Sequence, residues 1–189
     1  MPSVVQKERF SIDMVEMTAR LASTYESLYA ELPSKPLLMF AAGLGGVEHG
    51  GGLYVNNGNF GNVTAPGGYD GAVWEANGLQ FLAFPTLEYG MLYWWKFMWR
   101  RYRSVLEDAD QGDADAAVRD LFRLGYVGRV TTAVQLENYR RGVWSYMRKV
   151  ERTADVIVNQ ARPVYAGVAA VLLSASWLGL AGYYAKGLA

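Results

Sequence analysis

Residues 35–63, KPLLMFAAGLGGVEHGGGLYVNNGNFGNV, join an apolar run to a segment rich in glycine and asparagine, and the predicted fold depends on this stretch. Pro36 to Val47 is apolar on nearly every face, which is typical of a helix in the middle of a core. The stretch then carries one acid, Glu48, into a run of glycines. An apolar wall raises the pKa of a carboxyl, so an acid at the end of an apolar helix suits a general acid. Glu48 is therefore the first candidate catalytic residue.

Residues 49–80 differ in character, because glycine and asparagine separate short apolar or aromatic groups. This pattern predicts a loop or a small β-hairpin lobe. Loops on a rigid scaffold often carry binding chemistry. Asp70 and Glu75 are the only acids between Glu48 and Phe81. Either could orient a water molecule as the partner of Glu48, although Asp70 also lies in an ordinary turn sequence.

The remaining chain is predicted to be mainly α-helical. Apolar residues recur at three- and four-residue steps over residues 9–32, where Ser11 is a plausible cap. A later helix should begin at Pro85 or Thr86 and extend to Arg103. Two more helices are expected over residues 113–124 and 135–160.

Composition excludes several kinds of function. The formal net charge is zero, which argues against nucleic acid as the main partner. The chain has no cysteine, so disulfides and thiolate catalysis are excluded. Its one histidine, His49, is expected to be exposed to solvent. The acidic connector at residues 107–115 lacks the spacing of a calcium loop, so neither a metal nor a cofactor is expected.

Residues 163–184 form a run of 22 residues without a charge. A helix of this length spans about 30 Å, the thickness of the hydrocarbon core of a bilayer. Tyr165 lies near one end, and Tyr183 and Tyr184 lie near the other, as in an aromatic belt. The sequence therefore predicts a transmembrane helix in a C-terminal unit, 161–189, after a domain at 1–160. The alternative is a buried C-terminal helix of that domain.

Four segments resemble the lysozyme-like superfamily, in particular glucosaminidase-type peptidoglycan hydrolases and related phage-encoded wall-degrading proteins. They are Val47-Glu48-His49-Gly50-Gly51, the Asn-rich segment 56–63, the segments 80–84 and 88–90, and Leu124-Gly125-Tyr126-Val127 with Tyr139 and Val143. Together they cover roughly residues 36 to 147. The sequence departs from the family in having His-Gly-Gly-Gly after the acid, and in a longer segment between Tyr126 and Tyr139.

The resemblance implies a lysozyme-like helical domain with a small lobe, which would cleave the glycan strand of peptidoglycan. Glu48 would be the acid, with Asp70 or Glu75 as a second carboxylate. Alternatively, the substrate's N-acetyl group would assist, or a lytic transglycosylase would need one acid only. Sugar contacts are expected from the following residues: Asn59, Phe60, Tyr69, Tyr126 and Tyr139.

The expected location follows from the two ends of the sequence. The N-terminus does not resemble a secretory signal, and a C-terminal anchor would leave the domain away from the wall. Carriage within a virion would resolve this conflict, with lipid and other virion or assembly proteins as partners. The main alternative is a non-catalytic structural protein of a virion or injection assembly that keeps a lysozyme-like fold. A holin-like membrane protein is a weaker alternative, because the domain is large and polar.

Overall fold

The computed structural model describes residues 2–51, 54–127 and 132–160. These ranges contain six helices: α1 (Met14–Tyr29), α2 (Lys35–Glu48), α3 (Leu87–Arg101), α4 (Arg103–Asp110), α5 (Ala114–Arg123) and α6 (Ala133–Gln160). They also contain five short strands: β1 (Ser3–Val4), β2 (Arg9–Phe10), β3 (Val55–Asn56), β4 (Ala72–Ala76) and β5 (Leu79–Leu82). The described chain is therefore mainly helical with two small sheets.

Helix α2 is the central element of the core, as its apolar composition predicts. The side chain of Ser34 caps it by accepting a hydrogen bond from the Leu37 backbone N–H at 3.3 Å. Leu38, Phe40 and Leu44 are completely buried. Helices α1 and α6 pack on α2, and α3 adds two buried tryptophans, Trp94 and Trp95, to the same core. The single acid at the end of α2 is thus attached to the most buried helix of the domain.

The beginning of the chain differs from the sequence prediction. Arg9 and Phe10 form β2 rather than the first turn of a helix, and they pair antiparallel with Asn56 and Val55. Helix α1 begins after Asp13, whose carboxylate accepts from the Glu16 backbone N–H at 2.8 Å. The predicted cap at Ser11 is therefore wrong. The cause is long-range strand pairing, which helical periodicity does not report.

The small lobe contains the predicted β-hairpin. Strands β4 and β5 pair antiparallel, and β1 adds a short parallel strand beside β4. The turn between β4 and β5 is Asn77-Gly78, and both residues have positive φ. This dipeptide is favoured in the tight turns that match the twist of a hairpin. Helix α3 begins directly after the lobe and is capped by Thr86, one of the two residues predicted to start it.

The predicted fold class needs one correction. Among the residues that the structure describes, no helix is long and apolar enough to cross a membrane. The segment predicted to do so, residues 163–184, lies outside the described residues. The fold is thus described as a mainly helical domain with two small sheets, and the division at residue 160 stays a prediction.

Helices α2 and α6 approach each other closely because glycines lie at their contact. A Cβ atom added to Gly43 would lie 2.9 Å from the carbonyl oxygen of Val143, and one added to Gly46 would lie 2.8 Å from the Cβ of Tyr146. Gly142 on α6 lies against Val47 in the same way. Gly43 also lies against Met147, so rising numbers along α2 (Gly43, Val47) meet falling numbers along α6 (Met147, Gly142), and the two helices run antiparallel. This arrangement brings the start of α6 to the end of α2.

Replacing Gly43 by alanine tests this close approach. The added methyl group meets a backbone carbonyl, which cannot rotate away as a side chain can. Overpacking of a core typically costs about 1–3 kcal/mol, and we expect a loss of this order in the free energy of unfolding. Urea denaturation of Gly43→Ala measures it. Gly67→Ala is the control, because a Cβ there meets nothing within 4 Å. Equal stability of both variants would contradict the close approach.

Candidate active site around Glu48

Glu48 is the last residue of α2, and its half-buried carboxylate receives two side-chain hydrogen bonds. The hydroxyl of Tyr139, from α6, donates to Oε1 at 2.6 Å. The amide Nδ2 of Asn62, from the loop after β3, donates to Oε2 at 3.2 Å. The same Nδ2 donates to the backbone carbonyl of Glu48 at 3.3 Å. Three separate segments therefore converge on one carboxyl group.

The environment of Glu48 acts on its acidity in opposite directions. Burial raises the pKa of the carboxyl above its ordinary value, and this is the largest effect. The hydrogen bonds from Tyr139 and Asn62 favour the ionised form and lower the pKa, but they do not cancel the effect of burial. A carboxylate at a helix C-terminus is also disfavoured by the helix dipole. The group is suited to hold a proton and to be stabilised once the proton has left.

Two tyrosines connect α6 and the loop before it to this site. Burial, followed by the charge of Glu48, raises the pKa of Tyr139 well above its ordinary value, so its hydroxyl remains a donor. Tyr126 donates from its hydroxyl to the Gly61 carbonyl at 3.2 Å and accepts from the Trp94 indole N–H at 3.0 Å. Tyr126 thus holds the loop, while Tyr139 contacts the acid itself. Both were predicted as sugar contacts.

His49 is buried, with 4% of its surface exposed, so the expectation of an exposed histidine is wrong. Its Nε2 accepts from the Gly61 backbone N–H at 3.3 Å, and its ring lies 5.6 Å from the ring of Phe60. A further hydrogen bond joins it to the backbone of Tyr54. Burial lowers the pKa of His49 to about 4. The neutral ring therefore fastens the end of α2 to the loop that carries Asn62.

The predicted sugar contacts Asn59 and Phe60 lie inside the protein. Asn59 is completely buried, and its Nδ2 donates to the carbonyls of Val63 and Leu82, both at 2.9 Å. Its Oδ1 accepts from the Val63 backbone N–H at 2.9 Å. Phe60 is 1% exposed and its ring lies edge-on to that of Trp94. These positions fit residues that shape the loop, and they leave no face of either side chain free for a sugar.

The other predicted residues are not among the groups that hydrogen-bond to Glu48. Asp70 is exposed, and Glu75 is exposed on β4, where its carboxylate accepts from the Gln80 amide at 2.9 Å. Within the described ranges, no hydrogen bond or ion pair joins either acid to Glu48. Tyr69 is half-buried, and its electrostatic neighbours are Tyr93, Asp70 and Tyr89. The structure therefore brings Tyr139 to Glu48, and a second carboxylate at Asp70 or Glu75 stays a prediction.

Two surface cavities of the described chain also lie elsewhere. The larger, of about 640 Å³, follows the hairpin and is lined by residues 64–65 and 75–80. The smaller lies between the starts of α1 and α3 and includes Arg20 and Glu88. Neither is lined by Glu48.

Asn62 contacts the carboxyl of Glu48 but is not among the candidate site residues that the sequence predicts. It lies in the quoted Asn-rich segment, directly after Phe60 and Gly61, and its φ of 50° is left-handed. The sequence gives no reason to distinguish the asparagines of this segment. Only the folded loop shows which way each side chain points. Asn62 faces Glu48, whereas Asn59 faces the core.

No family model matches the chain, and no curated protein or solved structure matches it either. The resemblance to the lysozyme-like superfamily thus stays a prediction that rests on the quoted segments. Over the ranges described, no group of three or more His, Asp or Glu side chains is placed to hold a metal ion.

The buried histidine predicts how stability depends on pH. Its pKa is about 4 when folded and about 6.5 when unfolded, so between these values only the unfolded chain binds the proton. Stability should therefore fall as the pH falls from 6.5 to 4, by at most about 1.4 kcal/mol per pH unit from this group. Urea denaturation over that range measures the slope. His49→Gln keeps a carbonyl acceptor without a titrating group, and should show a smaller slope. Identical slopes would contradict the assignment.

Proposed function

We propose that the chain cleaves the glycan strand of the bacterial cell wall, with Glu48 as the general acid. The observation that carries the proposal is the half-buried carboxyl of Glu48, which burial favours in its protonated form and which Tyr139 contacts at 2.6 Å. Glycoside cleavage needs an acid whose pKa lies near the working pH, and burial is a common way to reach it. The resemblance of the surrounding segments to peptidoglycan hydrolases supplies the substrate class.

The proposed step transfers one proton. Glu48 gives its proton to the glycosidic oxygen, the bond between this oxygen and the anomeric carbon breaks, and the bonding electrons leave with the oxygen. The carboxylate that results accepts hydrogen bonds from Tyr139 and Asn62. Donors that are aimed at a charge as it forms lower the barrier, because they need no reorganisation during the reaction.

A single protein carboxyl suits two kinds of cleavage. The substrate's own N-acetyl oxygen can attack the anomeric carbon, after which water completes hydrolysis. Alternatively, a hydroxyl of the same sugar can attack, which leaves an anhydro end, as in a lytic transglycosylase. We put both ahead of an inverting pair because the two side chains that hydrogen-bond to the Glu48 carboxyl, Tyr139 and Asn62, are neutral. The second carboxylate of an inverting pair would instead lie about 6.5–9.5 Å away, with a water molecule between the two carboxyls.

The second candidate is a non-catalytic structural protein of a virion or injection assembly. Its support is that neither of the two cavities described above is lined by Glu48. In this case Glu48 would serve only to join α2, α6 and the loop. Association with a virion stays a prediction under either candidate.

Glu48→Gln separates the two candidates. A glutamine has the same shape as the glutamate. Its carbonyl oxygen can accept from Asn62 and its NH2 group can donate to the Tyr139 hydroxyl, but it cannot act as an acid. We expect the release of muropeptides from purified peptidoglycan to fall by about 10²–10⁴-fold, the usual contribution of a general acid. Mass spectrometry of the products also distinguishes a reducing end from an anhydro end. Glu26→Gln, which changes an exposed glutamate of α1, is the matched control. A parent protein that releases nothing would favour the structural candidate.

Asp70→Asn and Glu75→Gln test the single-carboxyl mechanism. Since both acids are exposed and the single-carboxyl mechanism uses neither, we expect each variant to keep muropeptide release within about threefold of the parent. The same assay measures it. A loss as large as that of Glu48→Gln in either variant would identify that residue as the second carboxylate and overturn the single-carboxyl mechanism.

A further inference from the structure

We propose that Asn62 is a positioning residue which gives the two oxygens of Glu48 different roles. Asn62 keeps Oε2 as a hydrogen-bond acceptor, so that the acid proton is carried on Oε1, next to Tyr139. This inference rests on the proposed role of Glu48 as the acid.

The direction of the Asn62 amide is fixed by its second contact. The atom that lies 3.2 Å from Oε2 also lies 3.3 Å from the backbone carbonyl of Glu48. A backbone carbonyl can only accept a hydrogen bond, so the atom beside it must be the NH2 group. The same NH2 group therefore faces Oε2 whether the carboxyl is ionised or neutral.

The backbone on both sides of Asn62 is held by buried side chains. His49 accepts from the Gly61 N–H at 3.3 Å, and Asn59 accepts from the Val63 N–H at 2.9 Å. Asn62 itself has a left-handed φ of 50°, a conformation that asparagine tolerates better than most residues. The side chain of Asn62 is thus directed by a loop that has little freedom to turn.

The chemistry of the two neighbours then places the proton. An amide NH2 can only donate, whereas a tyrosine hydroxyl can donate or accept. In a neutral carboxyl, the carbonyl oxygen is the better acceptor and the other oxygen carries the hydrogen. A proton on Oε2 would place the poorer acceptor against a group that can only donate. A proton on Oε1 leaves Oε2 as the acceptor for Asn62. The Tyr139 hydroxyl, 2.6 Å from Oε1, can then accept a hydrogen bond instead of donating one.

This arrangement assigns each atom a part in the proton transfer. The proton passes from Oε1 to the glycosidic oxygen, and the electron pair of the O–H bond remains on Oε1. The Tyr139 hydroxyl then donates to Oε1 while Asn62 continues to donate to Oε2. Because Asn62 makes the same contact before and after the transfer, it orients the carboxyl without moving.

Titration of Glu48 by carbon-13 NMR of labelled side-chain carboxyls tests the proposal in the full chain, with Glu48→Gln used to assign the signal. In Asn62→Gly the donor is lost while the left-handed backbone is kept, and the apparent pKa of Glu48 should rise by about one unit. In Asn62→Asp a carboxyl replaces the donor, so the pair shares a proton and the rise should be larger. The pH above which the rate of muropeptide release falls should also rise, and it should rise more in Asn62→Asp than in Asn62→Gly.

The matched controls are Asn77→Gly and Asn77→Asp. Asn77 has nearly the same φ of 51°, but it lies exposed in the β4–β5 turn. These controls should leave the titration of Glu48 and the pH dependence of muropeptide release unchanged. Thermal unfolding curves confirm that each variant is folded.

The outcomes separate this inference from the proposed function. A Glu48 titration that is unchanged in both Asn62 variants, or that moves equally in the Asn77 variants, overturns the role of Asn62 even if the enzyme is active. A parent without activity overturns the proposed function, while the titration still reports on Asn62. Neutron diffraction from crystals below the pKa of Glu48 is the direct check: a deuteron on Oε1 supports the assignment, and one on Oε2 overturns it.

Discussion

The close contact between α2 and α6 is the constraint on which the candidate site depends. Gly43 lies against Val143, and Tyr139 lies one helical turn before Val143 on α6. Residues four apart on a helix share one face, so the contact at Val143 also directs Tyr139 toward α2. Glu48, at the end of α2, meets this hydroxyl at 2.6 Å. A larger residue in place of Gly43 would separate the helices and thereby the hydroxyl and the carboxyl.

Around this contact, burial and hydrogen bonding act against each other on the same carboxyl. Burial disfavours the charge of Glu48, and the donors Tyr139 and Asn62 favour it. A site with burial alone would hold the proton too strongly, and one with donors alone would release it too early. His49 contributes without a charge, because the neutral ring fastens the loop of Asn62 to α2. The result is a carboxyl whose pKa stays above its ordinary value although two hydrogen-bond donors lower it.

The sequence predicts that Glu48 lies at the end of a buried helix, but it does not predict all of the residues that contact its carboxyl. The apolar run before Glu48 predicts a buried helix from composition alone, and Thr86 predicts the start of α3 through its capping chemistry. The burial of His49 could not be predicted, because a lone histidine in a run of glycines has no periodic neighbours. Asn59 and Asn62 are three residues apart in one motif, yet one faces the core and the other faces the acid. This difference depends on loop hydrogen bonds between distant segments, which local propensity does not encode.

The most direct test of this account is a crystal structure of the Glu48→Gln variant with a bound peptidoglycan glycan fragment. We predict that a glycosidic oxygen of the fragment lies about 3 Å from the side chain at position 48, within hydrogen-bond distance. Tyr139 and Asn62 should keep their contacts with that side chain. A fragment bound elsewhere on the protein, with position 48 closed off by the chain's own side chains, would contradict the role of Glu48 as the acid.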